Sequence, residues 1–141
     1  MYNNLINRII RLESITLDKW KSKAVDIIKS TNPMLDDYHV GIRTVDDVLT
    51  LEEAFDSEPP TNPDVSDDYI QSCIESGKIR IYSSKRIIPG TFATPSKMMA
   101  KDYSGSSNVF SKIVSINSIA WINSDEGVYI GNIKWLIMPC L

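Results

Sequence analysis

The sequence predicts an α+β domain, with helices in the first half packed on a mainly antiparallel sheet built from the second. Three observations support this. The 141 residues are 43% hydrophobic and 23% charged, which suits one globular domain burying about two-thirds of its unfolded surface. Apolar residues recur every three or four positions up to Ile74 and alternate from Ile79 onward, a switch from the helical period to the strand period. Proline and glycine fall between the periodic stretches, at Pro33, at Pro59 to Pro63, and at Gly77, Gly90 and Gly105.

Residues 1–31 read as an N-terminal helical segment, because Leu5, Ile6, Ile9, Ile10 and Leu12 keep helical spacing, as do Leu17, Trp20, Ala24, Ile27 and Ile28. The β-branched pair Ile15-Thr16 is a place where it could divide in two. Residues 32–141 form the main domain, opened by an acidic lead-in over 36–75. Asn32-Pro33 ends the first helix, Thr44 caps a turn at Val45, and Thr50 with Glu53 has capping-box spacing. The connector Glu58 to Pro63 is too proline-rich for helix or central strand. Ser66 starts and Gly77 stops a helix whose apolar side holds Tyr69, Ile70, Cys73 and Ile74. Strands are expected at Ile79 to Tyr82, Thr91 to Ala93, Val109 to Ile116, Ile119 to Ile122, Val128 to Ile130 and Ile133 to Met138. Between the second and third of these, Thr94 caps a short helix with Pro95 in its first position, running to Tyr103.

Charge is unevenly divided. Residues 36–75 hold twelve carboxylates against the single Arg43, a local net charge of −11; the remainder carries +8, which together return the whole-chain −3. Two cysteines, Cys73 and Cys140, and the single His39 support neither a disulfide framework nor a Cys/His zinc site, so no metal is expected. No apolar run approaches the ~20 residues of a membrane span and no secretory signal is evident, so a reduced, cytoplasmic setting is expected. The serine-hydrolase elbow, P-loop, dinucleotide fingerprint and zinc-protease motifs are all absent. Basic residues are scattered among the strands with no interleaved aromatics there beyond Tyr82 and Tyr103, which argues against direct nucleic-acid binding.

An ordered set of short motifs remains. It comprises Arg80, Tyr82-Ser83-Ser84, then Gly90, Phe92 and Thr94-Pro95-Ser96, followed by Ala100 and Tyr103, the strand Val109 to Ile116, Ala120-Trp121-Ile122, and Asp125-Glu126-Gly127 with Tyr129. In this order they resemble small phage-borne domains of the ADP-ribosyltransferase type and, more loosely, the ADP-ribosyltransferases used as anti-CRISPR proteins against type I-F surveillance complexes. Upstream, Asn32-Pro33-Met34, Asp36-Asp37-Tyr38-His39 and Gly41-Ile42-Arg43 resemble the lead-in of prophage proteins of this sort. The resemblance covers residues 32–130, about 70% of the chain.

That resemblance implies an ADP-ribosyltransferase-like sheet that binds NAD as substrate and strains its nicotinamide glycosidic bond. It implies Glu126 as the catalytic carboxylate, with Tyr82 and Ser83 contacting the nicotinamide ribose and amide, Thr94 holding the cleft through its hydroxyl, and Tyr103 closing the nicotinamide side. The chain departs from the pattern in two places. Such families usually place an Arg or His on the first strand, whereas here the basic residue is Arg80, two residues before Tyr82, with no fixed match to that position. Ser124 stands where arginine-modifying members carry Glu or Gln. Plainer roles also exist: Thr94 as a helix cap, the tyrosines as core-edge residues, and Asp125-Glu126-Gly127 as a turn.

The expected function is therefore a phage or prophage protein that modifies a host or defence protein, such as a CRISPR effector, by NAD-dependent mono-ADP-ribosylation. The alternative is a non-catalytic anti-CRISPR or anti-restriction binder whose acidic surface, with Asp46, Asp47, Glu52 and Glu53 at its centre, imitates a phosphate track. A third is an inactive phage accessory protein on the same scaffold.

Overall fold

A computed structural model of the chain describes residues 2–31, 42–106 and 108–132, with side chains of the first helix from Thr16 onward. The strand expected at Ile133 to Met138, the lead-in at Asn32 to Gly41, His39 and Cys140 lie outside the described residues. The architecture is α+β, with four helices and two antiparallel sheets.

The first helix, α1 (Tyr2–Thr31), runs through the Ile15-Thr16 pair without a break. Two β-branched residues cost a helix only a few tenths of a kcal/mol each, less than the packing of the residues that follow. After it, a 3₁₀ turn (Val45–Asp47) has Thr44 at its N-cap, as expected, and α2 (Leu51–Ser57) carries the capping box expected of Thr50 and Glu53. Helix α3 (Asp67–Ser76) is capped by Ser66 and ends at Gly77, whose φ of 77° is the left-handed conformation that makes glycine the natural stop.

The strands are β1 (Lys78–Ser83), β2 (Phe92–Ala93), β3 (Phe110–Ser115), β4 (Ile119–Asn123) and β5 (Glu126–Tyr129), with α4 (Lys97–Ser104) between β2 and β3. Strands β1 and β3 pair from Lys78↔Ser115 to Ser83↔Phe110. The second sheet has the order β2-β5-β4. The two sheets are tied where Tyr82 and Thr94 exchange backbone hydrogen bonds of 2.7 and 3.0 Å, and Leu49 adds a bridge to Trp121 on the far edge.

Helix α4 starts later than the sequence suggests. The helix opens at Lys97, so its cap is Ser96, accepting from the Met99 N–H at 3.0 Å, while Thr94 lies two residues further back and pairs with Tyr82. A second correction concerns the last hairpin, whose turn is Ser124-Asp125, with Glu126 and Gly127 already in β5 and paired to β4.

The central sheet buries both faces. On one, Ala120 and Val128, with half-buried Phe92 and Ile122, meet Trp20, Ala24, Val25 and Ile28 of α1. The Trp20 indole also donates to the Asn117 carbonyl at 2.8 Å and Lys21 reaches the Glu53 carboxylate at 3.2 Å, so α1 is held by directed bonds as well as by apolar area. On the other face, Ala93, Ile119, Trp121 and Tyr129 meet Ile79, Ile81 and Val114 of the β1–β3 sheet and Leu51, Ala54, Ile70 and Cys73 of the helices. Cys73 is thus packing, and burial pushes its thiol up.

Candidate functional site

The β4–β5 turn, Ser124-Asp125, which leads directly into Glu126, lacks the usual conformation of a two-residue hairpin loop. Two-residue hairpin loops favour turn types with positive φ, usually on Asn-Gly or Asp-Gly, yet no described non-glycine residue has positive φ. The turn is instead held from outside. Ser124 is fully buried and its Oγ donates to the Glu58 carbonyl at 2.7 Å. The Asp125 carboxylate accepts from the Thr61 N–H (3.0 Å), Thr61 Oγ1 (2.8 Å), the Asn62 N–H (3.3 Å) and Asn62 Nδ2 (2.9 Å). Its backbone carbonyl accepts from Thr94 Oγ1 at 2.6 Å, and its N–H donates to Asn123 Oδ1 at 2.8 Å.

The proline-rich connector is therefore a clamp on the turn. Its other end is fixed to α4, where Asp64 accepts from Ser96 Oγ (2.6 Å) and the Met98 N–H (3.1 Å). Burial works against the Asp64 charge, but the hydrogen bonds from Ser96 and Met98 outweigh it and hold the carboxyl below its ordinary range.

Glu126 stands next to this clamp, half-buried at the start of β5. Burial pushes its carboxyl above the ordinary range; a hydrogen bond from the Asn123 side chain opposes the shift and the Asp125 charge adds to it. Beside it is Tyr103 of α4, 62% exposed, whose phenol is pushed up by partial burial and by the Glu126 charge. The Tyr103 ring meets Phe92 edge-on, 6.2 Å between centroids at 86°. Strand alternation puts Phe92 and Thr94 on one face of β2, and the Phe92↔Val128 pairing puts Val128 and Glu126 on the same side. Thr94, Tyr103 and Glu126 are thus brought to one end of the central sheet.

Two of the expected residues take up other roles. Ser83 is buried, donates to the Phe92 carbonyl at 2.8 Å and accepts from the Lys85 N–H at 3.2 Å, so its hydroxyl joins β1 to β2. Tyr82 meets Thr94 through its backbone, while its side chain lies near Tyr69 of α3, whose hydroxyl is raised by burial and then by Cys73 and Tyr82. The Thr94 hydroxyl is also committed, donating to Asp125 and accepting from the Ser96 N–H at 3.0 Å.

The acidic residues divide in the same way. Asp47 accepts from the Arg43 and Thr44 N–H groups at 2.9 and 3.0 Å, which hold its carboxyl low. Burial opposes the charge of Glu53, but the Thr50 N–H at 3.0 Å and Lys21 at 3.2 Å prevail and hold it low. Asp46, Glu52, Asp56, Glu58, Asp67, Asp68 and Glu75 are exposed.

Asn123, Thr61 and Asn62 are not marked by the sequence as site residues, and Asp125 is marked there only within the Asp125-Glu126-Gly127 motif, with no role of its own. A run of Asn123-Ser124-Asp125 is turn chemistry and signals a hairpin, but nothing local names a partner more than sixty positions away. Among the described residues no His/Cys/Asp/Glu group could hold a metal ion, and no helix is long and apolar enough to cross a membrane. Comparison with family models, with curated proteins and with solved structures finds no match to the chain.

Proposed function

We propose that the chain is an NAD-dependent mono-ADP-ribosyltransferase of phage or prophage origin, acting on a host or defence protein such as a CRISPR effector. The observation that carries it is Glu126: a half-buried carboxylate, raised above its ordinary range, near the exposed ring of Tyr103 and at the first position of β5 after an externally braced turn. Together with the ordered motifs from Arg80 to Tyr129, this gives the two groups such a transfer needs.

In the proposed reaction the exposed Tyr103 ring packs on the nicotinamide, and the Glu126 carboxylate faces the ribose. The C1′–N glycosidic bond breaks and nicotinamide leaves with the electron pair. A nucleophilic atom of the target protein then bonds to C1′ and gives up its proton to Glu126, whose raised affinity for a proton suits that task. Ser83 and Thr94, whose hydroxyls already serve protein partners, act as wall-holders, and Tyr82 lines the strand end.

Thermal-shift titration with NAD tests binding, since a ligand of the native state stabilises it by RT ln(1 + [L]/Kd). Incubation with labelled NAD and host lysate tests transfer. Saturable stabilisation and a labelled band that disappears in Glu126→Gln support the proposal; a band indifferent to that change defeats it.

A second reading is favoured by the seven exposed carboxylates on the 3₁₀ turn, α2, α3 and the adjoining connector. They suit a partner with a basic groove, and binding of that kind would weaken steeply with salt. Reversing Asp46, Glu52 and Asp56 tests it without touching the capping roles of Asp47 and Glu53. Inhibition that survives the triple reversal would rule the acidic face out.

A further inference from the structure

The clamp around Asp125 has a consequence for the residue that follows it. Four donors from two consecutive residues, Thr61 and Asn62, converge on one carboxylate that is only 9% exposed. That is more than a two-residue turn needs for closure. The same residue is held by its backbone on both sides, through Thr94 Oγ1 on its carbonyl and Asn123 Oδ1 on its N–H. The second of these bonds also fixes the Asn123 amide: with Oδ1 occupied by the Asp125 N–H, Nδ2 is the donor left for the Glu126 carboxylate. Directed contacts thus run from Thr61 and Asn62 through Asp125 to Asn123, the residue paired with Glu126 across the hairpin.

We propose that Asp125 is the positioning residue for Glu126, and that the Thr61-Asn62 segment controls the placement of the Glu126 carboxylate through it. Asp125 sets both the backbone from which Glu126 projects and the orientation of the amide that faces it. It also contributes a neighbouring negative charge. The titratable groups facing Glu126 are Asp125 on its own turn and Tyr103 on α4; Asn123 is its neutral partner. The hydrogen bonds from Thr61 and Asn62 disperse the Asp125 charge, so the loop tunes how strongly Glu126 feels it. The placement stands on the hydrogen bonds that fix Asp125 and on the Asn123↔Glu126 pairing, whereas its bearing on NAD rests on the transfer proposed above.

The test is carbon-detected NMR titration of the Glu126 side-chain carboxyl, run beside NAD calorimetry on the same samples. Asp125→Asn removes the neighbouring charge and sets an amide NH₂ against the loop's donors. The Glu126 midpoint should fall, and NAD affinity should weaken about tenfold or more as the carboxylate loses its placement. Thr61→Val keeps the backbone donor but deletes Oγ1; it leaves the Asp125 charge less dispersed, so the midpoint should move the other way. A merely structural role predicts no such pair of opposite shifts. If Asp125→Asn does not fold, Thr61→Val and Asn62→Ala carry the test, each expected to raise the midpoint. A folded Asp125→Asn whose Glu126 midpoint matches the wild type overturns the proposal. Wild-type protein that binds no NAD, yet shows the opposite midpoint shifts, supports the positioning role and defeats the transfer function alone.

Discussion

A single methyl group on Gly127 tests whether the central sheet is as tightly closed as its register implies. Gly127 sits in β5 between its partners Ala93 in β2 and Trp121 in β4. A Cβ added there would lie 2.6 Å from Ile119 Cγ2, 2.7 Å from the Ala120 carbonyl oxygen and 3.1 Å from Trp121 Cα. Its φ is not in the left-handed region, so strain in the backbone is not the issue. On conformational propensity alone, Gly127→Ala would stabilise an extended strand by about 0.5–1 kcal/mol. The contacts say otherwise, because two of the three atoms belong to the β4 backbone. Ile119 is fully buried, and at the packing density of a protein core its Cγ2 can shift only by displacing neighbours. Relief requires β4 and β5 to part, at an overpacking cost of about 1–3 kcal/mol that outweighs the propensity gain. Loss of about 2 kcal/mol would lower Tm by roughly 6 °C in a chain of this size. Urea unfolding followed by tryptophan fluorescence reads the difference, with equal m-values as the check that two-state behaviour is kept. A variant as stable as the wild type, or more stable, would refute the close-packing argument and with it the register that aligns Glu126 with Asn123.

Three further outcomes are expected. Trp20→Phe keeps most of the apolar volume but leaves the Asn117 carbonyl without its 2.8 Å donor, so it should cost about 1–3 kcal/mol, against about 3–5 for Trp20→Ala; equal stability of the Phe variant in urea would remove that bond from the account. Ser96→Ala loses both the cap on the Met99 N–H and the bond to Asp64 and should cost about 1–2 kcal/mol, whereas Lys97→Ala on the exposed side should fall within about 0.5; thermal melts giving the two the same Tm would put the cap elsewhere. The pH dependence has two parts of opposite sign. The lowered carboxyls of Asp47, Glu53 and Asp64 contribute stability that is present above their ordinary values of 3.8 and 4.5 and is lost as pH falls through the depressed ones. The raised carboxyl of Glu126 contributes stability below its ordinary 4.5 that is lost as pH rises through the raised value, so Glu126→Gln should be more stable than wild type at pH 7 and equal to it at pH 4; a Gln variant less stable at pH 7 in paired urea titrations would contradict the burial argument.

How much of this was legible in the sequence depends on how local each cause is. Thr50 and Glu53 announce α2 because a capping box closes within four residues, and Ser66 and Gly77 bracket α3 for the same kind of reason. Alternation from Ile79 to Tyr82 marks β1, since one face of that strand is buried and the other is not. Thr94-Pro95 misled because its local signal, a cap before a proline, competes with non-local ones: the Thr94 backbone pairs with Tyr82 and its hydroxyl binds the Asp125 carbonyl, and the helix opens two residues later with Ser96 as its cap. The clamp on Asp125 could not be read at all, because the chain between Asn62 and Asp125 holds no periodicity or spacing that encodes their meeting. The same contrast ranks the acidic residues by what they leave unexplained. Asp47, Glu53 and Asp64 each serve a helix or turn terminus, and their lowered carboxyls follow from that service. Glu126 caps nothing and makes no salt bridge among the described residues, yet it is half-buried with its charge disfavoured. A fold gains no stability from that arrangement, so Glu126 is the residue whose place the fold does not account for.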